Sequence, residues 1–341
     1  MPASPDLNEI MSLLHAAIDS TDRSPTEVRN IGRLIDAARQ LVDGSASSLD
    51  VKIAAVALAE MTRAFEMFAP YRDNRKVTIF GSARTTPEHP IYSSTIDVAA
   101  RLARSGYMVV TGAGPGIMEA GMVGAGREKS IGVSIRLPFE TGANSVIAGD
   151  DKYVSMRYFF TRKLMLVKES HGFLCLPGGF GTLDETFELL TLAQTAKSVP
   201  VPIVFLEVPG HPFWTPLMSA MEPLLTENGL ISASDRLLYD ITDDVETAVD
   251  IITGFYSNYH SIRFVSDTMY IRMRRAVPDE DLARMVDAHG HLAEDGRIHR
   301  VPASPAEERD NDHLDLHRLA LDYSAKGFAE LRPLIDDINK H

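Results

Sequence analysis

Cysteine is nearly absent: Cys175 is the one thiol in 341 residues, so no intramolecular disulfide can form. It lies in the apolar run Gly172-Phe-Leu-Cys-Leu-Pro177 and reads as a buried strand thiol, not a reactive nucleophile. That usage fits a reducing cytoplasm. Long apolar runs are missing too, with nothing near the roughly 18 residues that a membrane span needs. The segment Met1-Pro-Ala-Ser-Pro-Asp-Leu7 lacks a basic stretch followed by an apolar one, so no signal peptide is expected. Basic charge is scarce, 34 Lys and Arg against 47 Asp and Glu, a net of -13. Such a surface repels nucleic acid and anionic membranes and argues against both as partners. A small phosphate ester stays open, because a local pocket can oppose the global charge. No internal repeat or low-complexity tract is seen. What is abundant is core material: 45% of the residues are hydrophobic, enough for about two domains or one domain with extensions.

Three regions follow from periodicity. Residues 1–72 read as a helical extension. Leu7, Ile10, Met11, Leu14 and Ile18 recur at helical spacing, as do Val28, Ile31, Leu34, Ile35, Ala38 and Leu41. Val51 to Phe68 is nearly apolar around its middle and is expected to pack on the main domain or on a second subunit. Residues 73–256 alternate apolar runs with helical patterns: Val77–Phe80, Met108–Thr111, Ile131–Ile135, Gly172–Leu176 and Pro202–Leu206 each precede a helix. Continuous apolar strands between helices indicate a parallel sheet covered on both faces. Right-handed crossovers then give an α/β, doubly wound, Rossmann-like fold. Residues 257–341 are richer in Arg, His and Asp and are expected to be mostly helical. One helix should start at Pro278-Asp-Glu-Asp281, another after Asp312, and a third should run from Ala325 to Ile338 with a kink or break at Pro333.

In doubly wound sheets ligands bind at the carboxyl ends of the strands, and the glycines concentrate there. Thr111-Gly-Ala-Gly-Pro-Gly116 and Pro177-Gly-Gly-Phe-Gly-Thr182 each link a strand to a helix. Each can free backbone N–H groups at a helix start, where the dipole also favours an anion. Two such turns in one sheet point to phosphate binding. A dinucleotide fingerprint fits poorly: the spacing is G-x-G-x-G, and no acidic residue ends the strand Ile131–Ile135. Glu185, three residues past Thr182, reads either as a capping or dipole-compensating glutamate or as a functional carboxylate. Asp184 faces about 100° away on a helix. Arg162 and Lys163, among apolar neighbours, reach into the pocket or form a solvated edge.

The run Pro177-Gly-Gly-Phe-Gly-Thr-Leu-Asp-Glu185 resembles the PGGxGTxxE signature of the LOG family. Its members are phosphoribohydrolases of nucleoside 5′-monophosphates, including cytokinin ribotides and AMP, and often carry the label "lysine decarboxylase". Phe80-Gly-Ser-Ala-Arg84 resembles the family's first-strand turn, Thr111–Glu119 its second glycine turn, and Arg162-Lys163 its catalytic arginine element. The resemblance covers about residues 75 to 255, and the flanking regions resemble extended, bacterial-type members. It implies a hydrolase that releases free base and ribose 5-phosphate, with Arg162 and Glu185 catalytic. It places Gly178, Gly179, Gly181 and Thr182 on the 5′-phosphate, with Gly114 and Gly116 closing the other side. Ser82, Arg84 and Lys163 would line the pocket, Met118 would pack on the base, and Glu119 would be a further contact. No metal or organic cofactor is implied, and members commonly form dimers or larger homo-oligomers.

The alternative is a non-catalytic nucleotide-binding or sensing module on the same fold. Decarboxylation would need a Schiff-base lysine and a partner for the cofactor's pyridinium nitrogen, and nothing assembles around Lys163 or Lys168. His313 and His317 stand four apart but lack a third ligand, so they read as a solvated helix face. Arg272, Arg274 and Arg275 read as a surface or interface cluster, and Trp214 as a packing anchor.

Overall fold

The computed structural model describes residues 12, 24–137, 142–324 and 328–341. The repeat at Leu7–Ile18 and the helix start expected at Ala325 therefore lie largely outside the described residues. The chain divides into two compact units, Met1–Glu60 and Met61–His341. Helix α1 (Pro25–Asp43) opens with a capping box in which Ser24 and Glu27 bond reciprocally, with proline in the first turn. Helix α2 (Ser48–Phe68) follows. Ala64 and Phe68, at its end, are buried in the core of the second unit.

The second unit is built on seven parallel strands: β1 (Lys76–Phe80), β2 (Met108–Thr111), β3 (Ser130–Ile135), β4 (Tyr153–Met156), β5 (Phe173–Cys175), β6 (Ile203–Leu206) and β7 (Asp240–Thr242). Their spatial order is β4-β3-β2-β1-β5-β6-β7. The doubly wound α/β sheet expected from the sequence is borne out. Residues along the central strands alternate between two cores, as the pleat requires. Val77, Ile79, Val109 and Leu174 pack with helices α3 (Pro90–Arg104), α4 (Ile117–Ala125) and α8 (Val245–Gly254). Phe80, Met108, Val110 and Phe173 pack with α5 (Phe159–Lys168), α6 (Phe180–Gln194) and α7 (Trp214–Glu227). Trp214 is fully buried, stacks on Phe205 and donates its indole N–H to the Cys175 carbonyl, as a packing anchor would. Cys175 is buried as well, and burial pushes its thiol up to about 12.

Residues 257–341 differ from the expectation of a mostly helical extension. They form a four-stranded antiparallel sheet in the order β10-β11-β9-β8, from β8 (Tyr259–Val265), β9 (Thr268–Met273), β10 (His299–Arg300) and β11 (His317–Asp322). Helices α9 (Asp279–His289), α10 (Pro305–Asp310) and α11 (Leu331–Ile338) accompany it. One face of the sheet is apolar, with Met269, Ile271, Met273, Leu319 and Leu321 in a core with α11. On the other face, Arg272 and Arg318 are buried against Glu307, which is itself 0% exposed. Charged residues on a buried face hid the strand alternation. The helix expected after Asp312 is thus strand β11, and His313 and His317 lie in a turn and at that strand's start. Helix α9 does begin just past Pro278, with three acids in its first turn. Pro333 falls in the first turn of α11, where its missing N–H breaks no helical bond. No helix among the described residues is long and apolar enough to cross a membrane.

Candidate active site

Strand order reverses at β1, whose neighbours are β2 and β5. Crossovers leave in opposite directions on either side, which opens a crevice at the carboxyl ends of these strands. Backbone bonds tie the three turns there into one rim. The Ser82 amide donates to the Pro177 carbonyl at 3.1 Å, and the Ile117 amide donates to the Ser82 carbonyl at 3.0 Å. Glycine makes this contact possible: a Cβ on Gly116, at φ 69°, would sit 2.4 Å from Ser82 O.

The cleft above the rim encloses about 980 Å³. Ten of the residues expected from the sequence line it: Ser82, Arg84, Gly114, Met118, Arg162, Gly178, Gly179, Gly181, Thr182 and Glu185. Three stand outside the lining. Gly116 is buried under the first turn, its neighbouring amide already bonded to Ser82. Glu119 is on α4, where its charge acts on Tyr92 of α3. Lys163 pairs with Asp184 at 2.9 Å and Glu188 at 2.5 Å. Burial works against its charge, but those two carboxylates raise its pKa.

The two glycine turns are therefore not equivalent. Helix α4 starts with its first amide satisfied, whereas α6 starts at Gly179 with no side chain capping it. Its first residues, Gly179 to Thr182, line the cleft, and the first-turn amides of a helix lack partners within it and carry the positive end of its dipole. A Cβ on Gly178 would fall 2.2 Å from Thr182 Oγ1, so packing demands that glycine. A Cβ on Gly179 or Gly181 would meet nothing within 4 Å, and neither has a positive φ. Their missing side chains leave the helix start open to close approach by an anion.

Glu185 is the sixth residue of α6, past the first turn, and the N-cap is a glycine. The capping-box reading is therefore excluded. Its side chain is 13% exposed and lies 3.5 Å (Oε1) from Arg162 Nη1. Arg162 arrives from α5, anchored by Nε donating to the Val133 carbonyl at 3.1 Å. Its guanidinium passes over Gly112, where a Cβ would come within 2.2 Å of Nη2 and 2.7 Å of Met118 Sδ. Gly112 is thus glycine because the arginine crosses it. Burial raises the pKa of Glu185; Arg162 and Lys163 oppose the rise, and Asp184 and Glu188 add to it. The arginine moderates the shift without cancelling it, leaving a carboxyl that holds its proton more readily than an ordinary glutamate.

Sequence reasoning missed the far end of the cleft. Ser134 on β3, Arg136 just past it, and Tyr153 and Ser155 on β4 line it. Strand β4 is four residues long and only half buried, too short to stand out as an apolar run. No motif marks these residues, and only the strand order places them beside the glycine turns.

Fold and cleft together define a Rossmann-like α/β protein with a helix start that no side chain caps and a buried carboxylate–guanidinium pair beside it. Residues 115–252 match the family model described as "possible lysine decarboxylase". A probable cytokinin riboside 5′-monophosphate phosphoribohydrolase LOG4 of Oryza sativa subsp. japonica is 27% identical over 176 residues, 50% of this chain and 73% of its own length. The cytokinin riboside 5′-monophosphate phosphoribohydrolase LOG3 of Arabidopsis thaliana is 34% identical over 91 residues, 27% of this chain and 39% of its own. Among solved structures, a Northeast Structural Genomics Consortium X-ray structure is 24% identical, with a TM-score of 0.37 over 52% of this chain and 98% of its own. The resemblance to the LOG family thus holds over the parallel-sheet domain, at modest identity.

Proposed function

We propose that this protein hydrolyses the N-glycosidic bond of a nucleoside 5′-monophosphate, releasing free base and ribose 5-phosphate. The observation that carries this reading is the placement of Glu185 and Arg162, 3.5 Å apart, beside the open start of α6 in one cleft. In this reading the phosphate accepts hydrogen bonds from the first-turn amides between Gly179 and Thr182, which sets the ribose over Glu185. Cleavage builds positive charge at the anomeric carbon. The Glu185 carboxylate stabilises that charge and takes a proton from the water that bonds to the anomeric carbon, and the departing base, which keeps the electron pair of the broken C–N bond, takes up a proton in turn. Arg162 holds the carboxylate in place and limits the rise in its pKa. The names of the relatives, which are phosphoribohydrolases of cytokinin riboside monophosphates, support the same bond and the same phosphate.

The decarboxylase description finds no support in the cleft. Among the described residues lining it there is no lysine to form a Schiff base, and Lys163 is engaged by two carboxylates. Self-association belongs to the proposal as well. Phe159, Phe160 and Leu164 are exposed along α5 and favour burial against a second copy. The test of function is direct: purified protein is incubated with a panel of nucleoside monophosphates, and released base is separated by chromatography. Base and ribose 5-phosphate in equal amounts are expected; nucleotides recovered intact would refute the reading.

A further inference from the structure

The cleft occupies the carboxyl ends of the parallel strands, and a second group of basic side chains gathers at their amino ends. Arg75 directly precedes β1, Tyr107 precedes β2, and His171 stands two residues before β5. The Met108 amide donates to the Arg75 carbonyl at 2.8 Å, and the Lys76 amide donates to His171 Nδ1 at 3.3 Å. The five residues of β1 separate Arg75 from the turn at Gly81, so this edge lies about 20 Å from the cleft along the strand.

Arg75 is half-buried, and its guanidinium lies 4.2 Å from the centre of the Tyr256 ring. Tyr256 is itself buried beside His171 and Tyr259. The antiparallel sheet brings in Arg274, the first residue past β9. Its amide donates at 2.9 Å to the carbonyl of Asn258, two residues from Tyr256. The two arginines thus share one neighbourhood. Burial raises the pKa of the Tyr107 phenol, and the charges of Arg75 and Arg274 both oppose the rise. Burial lowers the pKa of Arg274, and Arg75 and Arg275 lower it further. Arginine nevertheless keeps its charge at neutral pH.

No carboxylate among the described residues forms an ion pair with Arg75 or Arg274. Glu169, two residues before His171, is paired with Lys168 at 2.5 Å. Arg275 is engaged, with Nε donating to the His341 main-chain oxygen at 2.6 Å, and Arg272 is buried against Glu307. The sequence cluster Arg272-Arg274-Arg275 therefore splits into two partnered side chains and one exposed guanidinium near Arg75. Like charges gathered without a counter-charge repel, and an anion between them relieves that repulsion.

We propose that Arg75 and Arg274 form an anion site at the amino edge of the parallel sheet, separate from the cleft, and that its ligand carries a diphosphate group. A guanidinium holds one phosphate in a bidentate pair, so two of them match two phosphates. The Tyr256 ring holds the Arg75 fork in place, so little side-chain freedom is lost on binding.

Calorimetric titration of the full chain with inorganic pyrophosphate and with adenosine diphosphate tests the site. Native protein is expected to show a binding step that Gly179→Ala, at the start of α6, leaves in place. Arg274→Gln is expected to weaken that step at least about 10-fold without lowering the melting temperature, because the side chain is exposed. Arg75→Lys keeps the charge and loses the fork, and should weaken it by a smaller factor. Similar affinities for the two probes identify the free anion as the ligand, and tighter binding of adenosine diphosphate identifies a nucleotide carrying it. No binding of either probe up to about 1 mM, an affinity unchanged in Arg274→Gln, or a step lost in Gly179→Ala would overturn the proposal.

Discussion

Glu185→Gln removes one charge from the cleft and almost nothing else. The side chain is 13% exposed, and glutamine fills the same volume, so no cavity opens around it. The Glu185 oxygen lies 3.5 Å from Arg162 Nη1, and glutamine keeps an oxygen that can accept from the guanidinium, so the side chain stays placed. A positioned acid–base group contributes about 10² to 10⁴ in rate, so kcat should fall by that factor, about 3–5 kcal/mol in activation free energy. Stability should move the other way. Burial raises the carboxyl's pKa in the folded chain, so the fold binds a proton that the unfolded chain has released, and the ionised form strains the fold as pH rises. Glutamine removes that strain, so at neutral pH the variant should melt no lower than the native protein. The native enzyme should also lose kcat/KM on the acid side at a pH above 4.5, the ordinary value for a glutamate. Residual activity of the variant should lack that limb. Steady-state base release from pH 4 to 9, with thermal melts of both proteins, measures all three. Native-like kcat in the variant, or a loss of activity matched by a collapse in melting temperature, would refute the reasoning.

Three further outcomes follow from single contacts. Gly112→Ala puts a methyl within 2.2 Å of Arg162 Nη2 and should displace the guanidinium, lowering kcat about 10²-fold with the fold intact by circular dichroism. Gly179→Ala meets no protein atom within 4 Å, so melting should not change, but KM should rise because the methyl enters the anion's space. Glu307→Gln leaves Arg272 and Arg318 buried without their shared carboxylate and should cost about 3–5 kcal/mol in urea unfolding. Burial of Glu307 is outweighed by its bonds with Ser304, Arg272 and Arg318, which hold its pKa at about 2. Its stabilisation is therefore present above the unfolded value of 4.5 and lost as pH falls toward 2, so the difference between native and variant should shrink on acidification.

The parallel sheet was legible because β1, β2, β3 and β6 are mostly apolar runs between helices, and burial on both faces produces that pattern. The glycine turns were legible for a related reason, since close approach and helix starts leave a compositional mark. Glu185 and Arg162 were found through the signature around them, although the sequence left a capping role open for Glu185. Arg136, Tyr153 and Ser155 carry no such mark and meet only through the β3–β4 pairing. The antiparallel sheet escaped notice because Arg272, Arg318 and Glu307 neutralise one another on a buried face, whereas a charged residue in a sequence reads as solvated. Strand β7 is three residues long and only half buried, too short for a periodic signal.

A crystal structure of Glu185→Gln with a bound nucleoside 5′-monophosphate tests the central claim most directly. The phosphate is expected on the first-turn amides of α6, with the anomeric carbon in hydrogen-bond reach of the residue 185 side chain, directly or through one water. A phosphate bound elsewhere, or an anomeric carbon turned away from that side chain, would contradict it.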